Sequence, residues 1–344
     1  MILLVLSGAA LADTVRIATY NANLTRGGPG LVLQAIRKGV DPQVTAATTV
    51  LAQTDADIIL ITGIDFDAQA AALTALSDHL PKPYPFHLAL RPNSGLPTGL
   101  DLDHNGKLGE PRDAMAYGRF AGAGGMAILS RYPIDDQNIR AFTDFLWKDL
   151  PNADLPPDLA DDAKAIQRLS TSGHYDVPIL VTPDHPLHLL VWSATPPVFD
   201  GPDDRNGRRN ADETAFWLDL LHGTLPFPPP AAPFILLGET NLDPVDGSGR
   251  HQPLRDLITL PTLQDPKPRG TASRSDAGQT GDPALDTAFY PKGVGGLRVD
   301  MILPSANLHV TGSGVIWPPD IDPLSATLTA ASRHFPVWVD ITLP

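Results

Sequence analysis

A chain of 344 residues is long enough for two average domains, and one large two-sheet α/β domain fits the same length. With 42% hydrophobic and 19% charged residues it has the composition of a globular protein with a substantial core, and it shows no internal repeat. A formal net charge of −14 disfavours nucleic acid as a partner by repelling its phosphate backbone, and the absence of cysteine excludes disulfides and thiolate metal sites.

The first twelve residues, MILLVLSGAALA, form an apolar run ending in small residues before Asp13. That is the pattern of a signal-peptide core with its cleavage site, too short to span a bilayer and lacking the usual basic n-region. Residues 1–12 are therefore expected to be a signal peptide, with a misplaced start or a buried N-terminal strand as the competing explanations of the missing basic residues. Residues 13–344 are expected to be one exported domain, periplasmic or extracellular, monomeric and without a membrane-bound part.

Apolar, β-branched runs predict strands over 14–20, 57–62, 125–130, 187–192, 234–239 and 298–304, and a seventh over 335–343. Between the first two, Asp41 and Pro42 supply an N-cap and a first-turn proline for a helix through about Gln53. A second helix is expected from Ala68 to about Leu80. Asn210 with Glu213 has the form of a capping box opening a helix over 211–223, closed by Gly223. Proline and glycine concentrate in loops at 91–124, 146–166, 196–208, 225–233 and 265–297. Loops of such length in a compact domain are usually functional or decorative insertions, and here they fall after strand ends.

Six stretches stand out in this frame: ATYNANL (18–24), GGMAILSRYPI (124–134), TPPVFDGPDDRNGRRN (195–210), GETNLDP (238–244), LRVDMILPS (297–305) and SRH (332–334). In order and spacing the set resembles the endonuclease/exonuclease/phosphatase superfamily, most closely its secreted bacterial branch. The resemblance implies a DNase I-like four-layer α/β sandwich, two packed mixed sheets flanked by helices, with the site at one sheet edge. It also implies phosphoester hydrolysis with one or two divalent ions, usually Mg²⁺, which needs carboxylates for the metal and a base for water.

The same resemblance assigns roles by position. His334, its orienting acid Asp300, Asn241 and Glu239 fall at catalytic positions; Asn21 and Asn23 fall where the first strand delivers phosphate-positioning amides or metal ligands. Ser193 stands where the family has a phosphate-contacting His, and Arg168 belongs to the segment matching the secreted branch, as do Trp147, Lys148, His174 and Asp176. Two positions depart. The metal-binding Glu after the second strand is Gly63, and the Asp of the family's Ser-Asp-His is Arg333. A divalent ion would lose two charged ligands and face a guanidinium, repulsive by several kcal/mol at about 4 Å and intermediate dielectric. Mg²⁺ at the family site is not expected.

Three readings follow. In the first, the fold persists as a module binding a small phosphate-containing ligand, with hydrolysis weak or lost. In the second, Arg333 replaces the metal and holds phosphate oxygens bidentately while His334 and Glu239 move protons. In the third, metal-dependent hydrolysis survives through Asp65, Glu239 and Asp243, although Asp65 also suits a turn or a helix cap. A salt bridge from Arg333 to a nearby acid competes with the first two.

A separate stretch, DLDHNGKLGEPRD (101–113), matches the opening of a calcium loop: Asp101, Asp103 and Asn105 offer oxygens and Gly106 allows the turn. Its twelfth position is Arg112, so closure falls to Glu110 or Asp113. Ca²⁺ is the expected ligand, and an acidic, Gly-rich turn is the alternative. The basic run holding Arg205, Arg208 and Arg209 either frames an anion or pairs with Asp203, Asp204 and Asp212 to shape its loop. His174 reads either as a ligand or as a packed loop residue.

Overall fold

The computed structural model describes residues 14–182, 186–272, 274 and 276–343, so the apolar run 1–12 lies outside the described residues. In the first sheet β1 (Thr14–Leu24) lies between β13 (Val337–Thr342), antiparallel to it, and β2 (Ile58–Ile64), parallel to it. Beyond β2 come β4 (Gly125–Ser130) and β3 (Phe86–Leu90), and β12 (His309–Val315) forms the opposite edge. The second sheet runs β11 (Asp300–Pro304), β8 (Phe234–Glu239), β7 (Leu187–Ser193), β6 (His174–Ile179), β5 (Arg140–Ala141). A small hairpin, β9 (Ala288–Tyr290) and β10 (Gly295–Leu297), stands apart.

Strand alternation explains the layers. Leu189, Val191, Leu237 and Ile302 join the first sheet in one core cluster, whereas Leu190, Trp192, Leu236 and Met301 form another with Phe216, Trp217 and Leu254. Side chains of period two thus fill the space between the sheets on one face and the helix layer on the other. The outer layer of the second sheet is α5 (Arg205–His222) with α6 (Gln252–Ile258). On the first sheet α1 (Leu31–Lys38), α2 (Pro42–Thr54) and α3 (Ala71–Asp78) join the first cluster, with α7 (Pro323–Ala331) packed on α2; α4 (Asp161–Ile166) is a short loop helix. The architecture is the expected α/β sandwich. Among the described residues no helix is long and apolar enough to cross a membrane.

Most expected elements are present, with differences that have local causes. Asp41 caps α2 by accepting from the backbone of Gln43 and Val44, and Gly223 ends α5 at φ 70°. The second expected helix starts only at Ala71, because the Asp67 carboxylate accepts from the Ala71 and Ala72 amides and sets the N-terminus there. Asn210 is not a cap: α5 begins at Arg205, and Glu213 is buried in its middle. The unforeseen strands carry only short or broken apolar runs. His309–Val315 reads HVTGSGV on a sheet edge, Phe86–Leu90 is half exposed on another, and His174–Ile179 buries His174 and Asp176 among its apolar residues.

Candidate active site

Ser193 and Glu239 end adjacent parallel strands, Asp300 opens the antiparallel β11 beside Glu239, and Asn21 and Thr62 lie near the ends of β1 and β2. His334 arrives from the turn before β13. The topology therefore delivers all six to one edge of the sandwich. The β9 hairpin strand is bridged to this turn at Ala288 and His334, and the Phe289 amide donates to the Arg333 carbonyl. That pairing brings Thr287 and Tyr290 into the site.

Glu239 is held from three sides by neutral donors. Asn21 Nδ2 donates to Oε1 at 2.9 Å, and Thr62 Oγ1 and Ser193 Oγ donate to Oε2 at 2.9 and 3.1 Å. His334 Nε2 stands 3.7 Å from Oε1. On its other side the imidazole meets Asp300, Nδ1 to Oδ2 at 2.9 Å, and Thr287 Oγ1 donates to the same oxygen at 2.8 Å. Burial alone would lower the His334 pKa; the charge and hydrogen bond of Asp300, with the charge of Glu239, outweigh it and raise it to about 9. The ring is an imidazolium at neutral pH. Tyr290 Oη lies 3.5 Å from Nε2. Asp300 Oδ1 is buried without a hydrogen-bond partner.

Gly63 has a structural reason. Its φ is +65°, and a Cβ there would lie 2.4 Å from Asn21 Oδ1. The Asn21 amide fills the space that a glutamate side chain would need, and that oxygen accepts from the Asn23 backbone amide at 3.0 Å. Asn23 itself has φ 51° at a break in the β1–β2 register, and its side chain is exposed. Asn241, at φ 50°, donates to the Ala194 carbonyl at 2.9 Å beside the Glu239 cluster. Arg333 is exposed, and its guanidinium forms no hydrogen bond or ion pair among the described residues.

Other expected residues lie elsewhere. Asp65 is buried and accepts from the Arg26 and Gly124 amides at 2.8 and 3.1 Å, clasping two loops. Asp243 accepts from the amides of Val245, Asp246 and Arg298. Arg168 is tied to Asp144 at 2.7 Å and to Asn93 at 2.9 Å. None of these three side chains contacts His334 or Glu239 among the described residues. His174 is fully packed, and burial lowers its pKa to about 4. Arg208 pairs with Asp154 instead of the acids expected, while Arg209 is buried and donates to the carbonyls of Arg168, Leu169 and Ser170.

The donor set does not fit a divalent ion at the family position. Such an ion needs several oxygens with free lone pairs at hard-cation distances. Here Glu239 already accepts three hydrogen bonds across its two oxygens, an imidazolium sits against it, and Asn21 turns its NH₂ toward it. Among the described residues the acidic side chains converging as a group of three within 4.8 Å are Asp101, Asp103 and Asp113. Asp101 accepts from the Asn105 and Gly106 amides, Asp113 from those of Leu102 and Glu110, and Asn105 Nδ2 donates to Glu110. Thr62, Thr287 and Tyr290 were not foreseen, and no motif in the sequence marks them.

The sequence pattern of the Endonuclease/Exonuclease/phosphatase family matches residues 18–334. A comparison with curated proteins finds no match. Among solved structures the chain is similar to an endonuclease/exonuclease/phosphatase from Beutenbergia cavernae, at TM-score 0.54 and 16% identity over 96% of this chain and 72% of that one. It is also similar to an endonuclease/exonuclease/phosphatase family protein from Bacteroides thetaiotaomicron, at 0.52 and 15% over 97% and 100%. A mannosyl-6-phosphatase from the same organism gives 0.51 and 15% over 96% and 100%.

Proposed function

The chain belongs to the endonuclease/exonuclease/phosphatase family, and we propose that it keeps the family's phosphoesterase fold with a centre that binds a small phosphate-containing ligand, hydrolysis being weak or lost. The engagement of Glu239 by Asn21, Thr62 and Ser193 carries this reading, since three of that carboxylate's lone pairs are taken and a metal or an attacking water is disfavoured there. Around the same point the His334 imidazolium, the Tyr290 hydroxyl and Arg333, unpaired among the described residues, supply donors and positive charge for a phosphate. A guanidinium holds two phosphate oxygens at once, and such charge-assisted bonds are strong.

The test is turnover of bis(p-nitrophenyl) phosphate and p-nitrophenyl phosphate with Mg²⁺, with Mn²⁺ and with chelator, beside calorimetric titration with inorganic phosphate. Rates near background are expected in every condition, with phosphate binding that Arg333→Ala weakens about tenfold. Turnover requiring metal would sink the reading.

The free guanidinium of Arg333 favours a second reading, slow metal-free hydrolysis with His334 as the proton donor. Its mark is turnover that resists chelator and disappears in Arg333→Ala. Metal-dependent activity through Asp65 and Asp243 has less support, because backbone amides occupy both carboxylates. We also infer that loop 101–113 takes Ca²⁺, supported by the convergence of Asp101, Asp103 and Asp113. Calorimetry with Ca²⁺ on the parent and on Asp103→Asn tests it, and equal heats would overturn it. Export, supported by the apolar run 1–12, is checked by cell fractionation.

A further inference from the structure

Three of the long loops converge on a cleft of about 1030 Å³, built from segments 100–117, 156–163 and 195–209. It has the size of a small-molecule site, at the upper end of the usual range. Leu100, Leu102, Leu159 and Ala163 give it an apolar wall with a small core of their own. Its inner end is closed by Thr171 and Thr195, whose hydroxyls lie 2.6 Å apart and whose amides both donate to buried Glu213.

The charges of the cleft are unbalanced. Six aspartates line it against three arginines. Arg209 is committed to backbone carbonyls, Arg205 is half-buried and donates to Gln167, and Arg112 stands exposed on the rim. Of the acids, Asp101, Asp162 and Asp200 accept from nearby backbone amides and shape their loops. Asp103, Asp158 and Asp203, one from each loop, make no side-chain hydrogen bond or ion pair among the described residues, though the latter two lie within the field of Arg205.

Two large rings also face this space. Phe199 is 85% exposed and Tyr117 66% exposed, and both line the cleft. Phe199 has φ 71°, a backbone region that bulky residues rarely adopt. Aromatic faces beside free carboxylates complement a group that is at once cationic and partly apolar: the ring quadrupole attracts an ammonium, and the methylenes cover the ring.

We propose that this cleft is a binding site for a small organic polycation of the alkyl-polyamine class, seated against Phe199 and Tyr117 and paired with Asp103, Asp158 and Asp203. His334 does not line the cleft, and the inference does not rest on the phosphate reading. Three carboxylates on three separate loops match several ammonium groups along one flexible chain, and a single small cation reaches only one loop at a time.

The experiment is calorimetric titration of the whole protein with spermidine at fixed ionic strength, with chelator present so that no divalent ion competes at Asp101 and Asp103. One saturable site is expected, weakened about three- to tenfold by each of Asp103→Asn, Asp158→Asn, Asp203→Asn and Phe199→Asn. Asparagine tolerates the left-handed backbone at 199, and unchanged thermal midpoints verify that the variants fold. Asp320→Asn, an exposed acid outside the cleft, is expected to leave the affinity unchanged. No saturable binding, equal weakening by Asp320→Asn, or binding of maltose in preference to spermidine would each overturn the proposal.

Discussion

The side-chain amide of Asn21, on the first strand of one sheet, donates at 2.9 Å to Oε1 of Glu239, the last residue of a strand in the other. This bond joins the two sheet edges and takes up a lone pair of the carboxylate oxygen that faces His334 Nε2. The site is thus built as a hydrogen-bonded cluster with an imidazolium inside it and, outside, the Arg333 guanidinium, which has no partner among the described residues.

Restoring an acid at position 333 should restore affinity for metal. With Asp101→Asn and Asp103→Asn as the background, to silence the loop, millimolar Mg²⁺ is expected to leave the melting temperature unchanged when residue 333 is Arg. Arg333→Asp is expected to make it rise by a degree or more, as for any ligand that binds only the folded state. A rise in the presence of Arg333 shows that the ion is held by other groups.

Gly63 and Asn21 should be energetically coupled. Gly63→Ala places a methyl group 2.4 Å from Asn21 Oδ1 at φ +65°, and a cost of about 1–3 kcal/mol is expected in denaturant unfolding. Asn21→Gly removes the clash, so in a double-mutant cycle the cost of Gly63→Ala falls to that of the backbone alone. Strict additivity of the two changes contradicts the close approach.

Stability should fall on the alkaline side because of His334. Its pKa is about 9 in the folded protein against 6.5 for the free side chain, so the folded state binds the proton more tightly. The contribution is fully present below pH 6.5 and lost as pH rises through 9, amounting to about 3 kcal/mol at most. Burial raises Glu213 and Asp286 to about 7, which gives the same sign but is essentially complete above that pH. Between pH 7.5 and 9.5, roughly, the slope belongs to His334, and Asp300→Asn is expected to flatten it. Urea unfolding at a series of pH values measures this directly.

Glu213→Ala should be among the costly substitutions. Its carboxylate accepts from the Thr171 and Thr195 amides at 2.5 and 2.6 Å, and removal leaves two donors unsatisfied beside buried Arg209. A loss of about 2–4 kcal/mol is expected, with Glu213→Gln milder because it retains an acceptor. The melting temperatures of the two variants decide.

Much of the frame was legible in the chain itself. Seven apolar runs marked seven strands, since a strand buried on both faces writes a continuous hydrophobic segment. The order of the motifs placed His334 and Asp300 together, and they are 2.9 Å apart. Gly63 and Arg333 were legible as well, standing where the family resemblance implies carboxylates.

What only the tertiary structure decided is how the remaining groups are used. Thr62 and Asn21 meet Glu239 across 177 and 218 residues of chain, and no local spacing encodes such a contact. Thr287 and Tyr290 enter the site because β9 bridges to the turn at His334, and Asp65 leaves it because two loop amides claim its carboxylate. The cleft exists only where three loops distant in sequence converge. Residue types and periodicity record local preference and burial; whether a carboxylate is free, paired or saturated depends on which donors the folded chain carries to it.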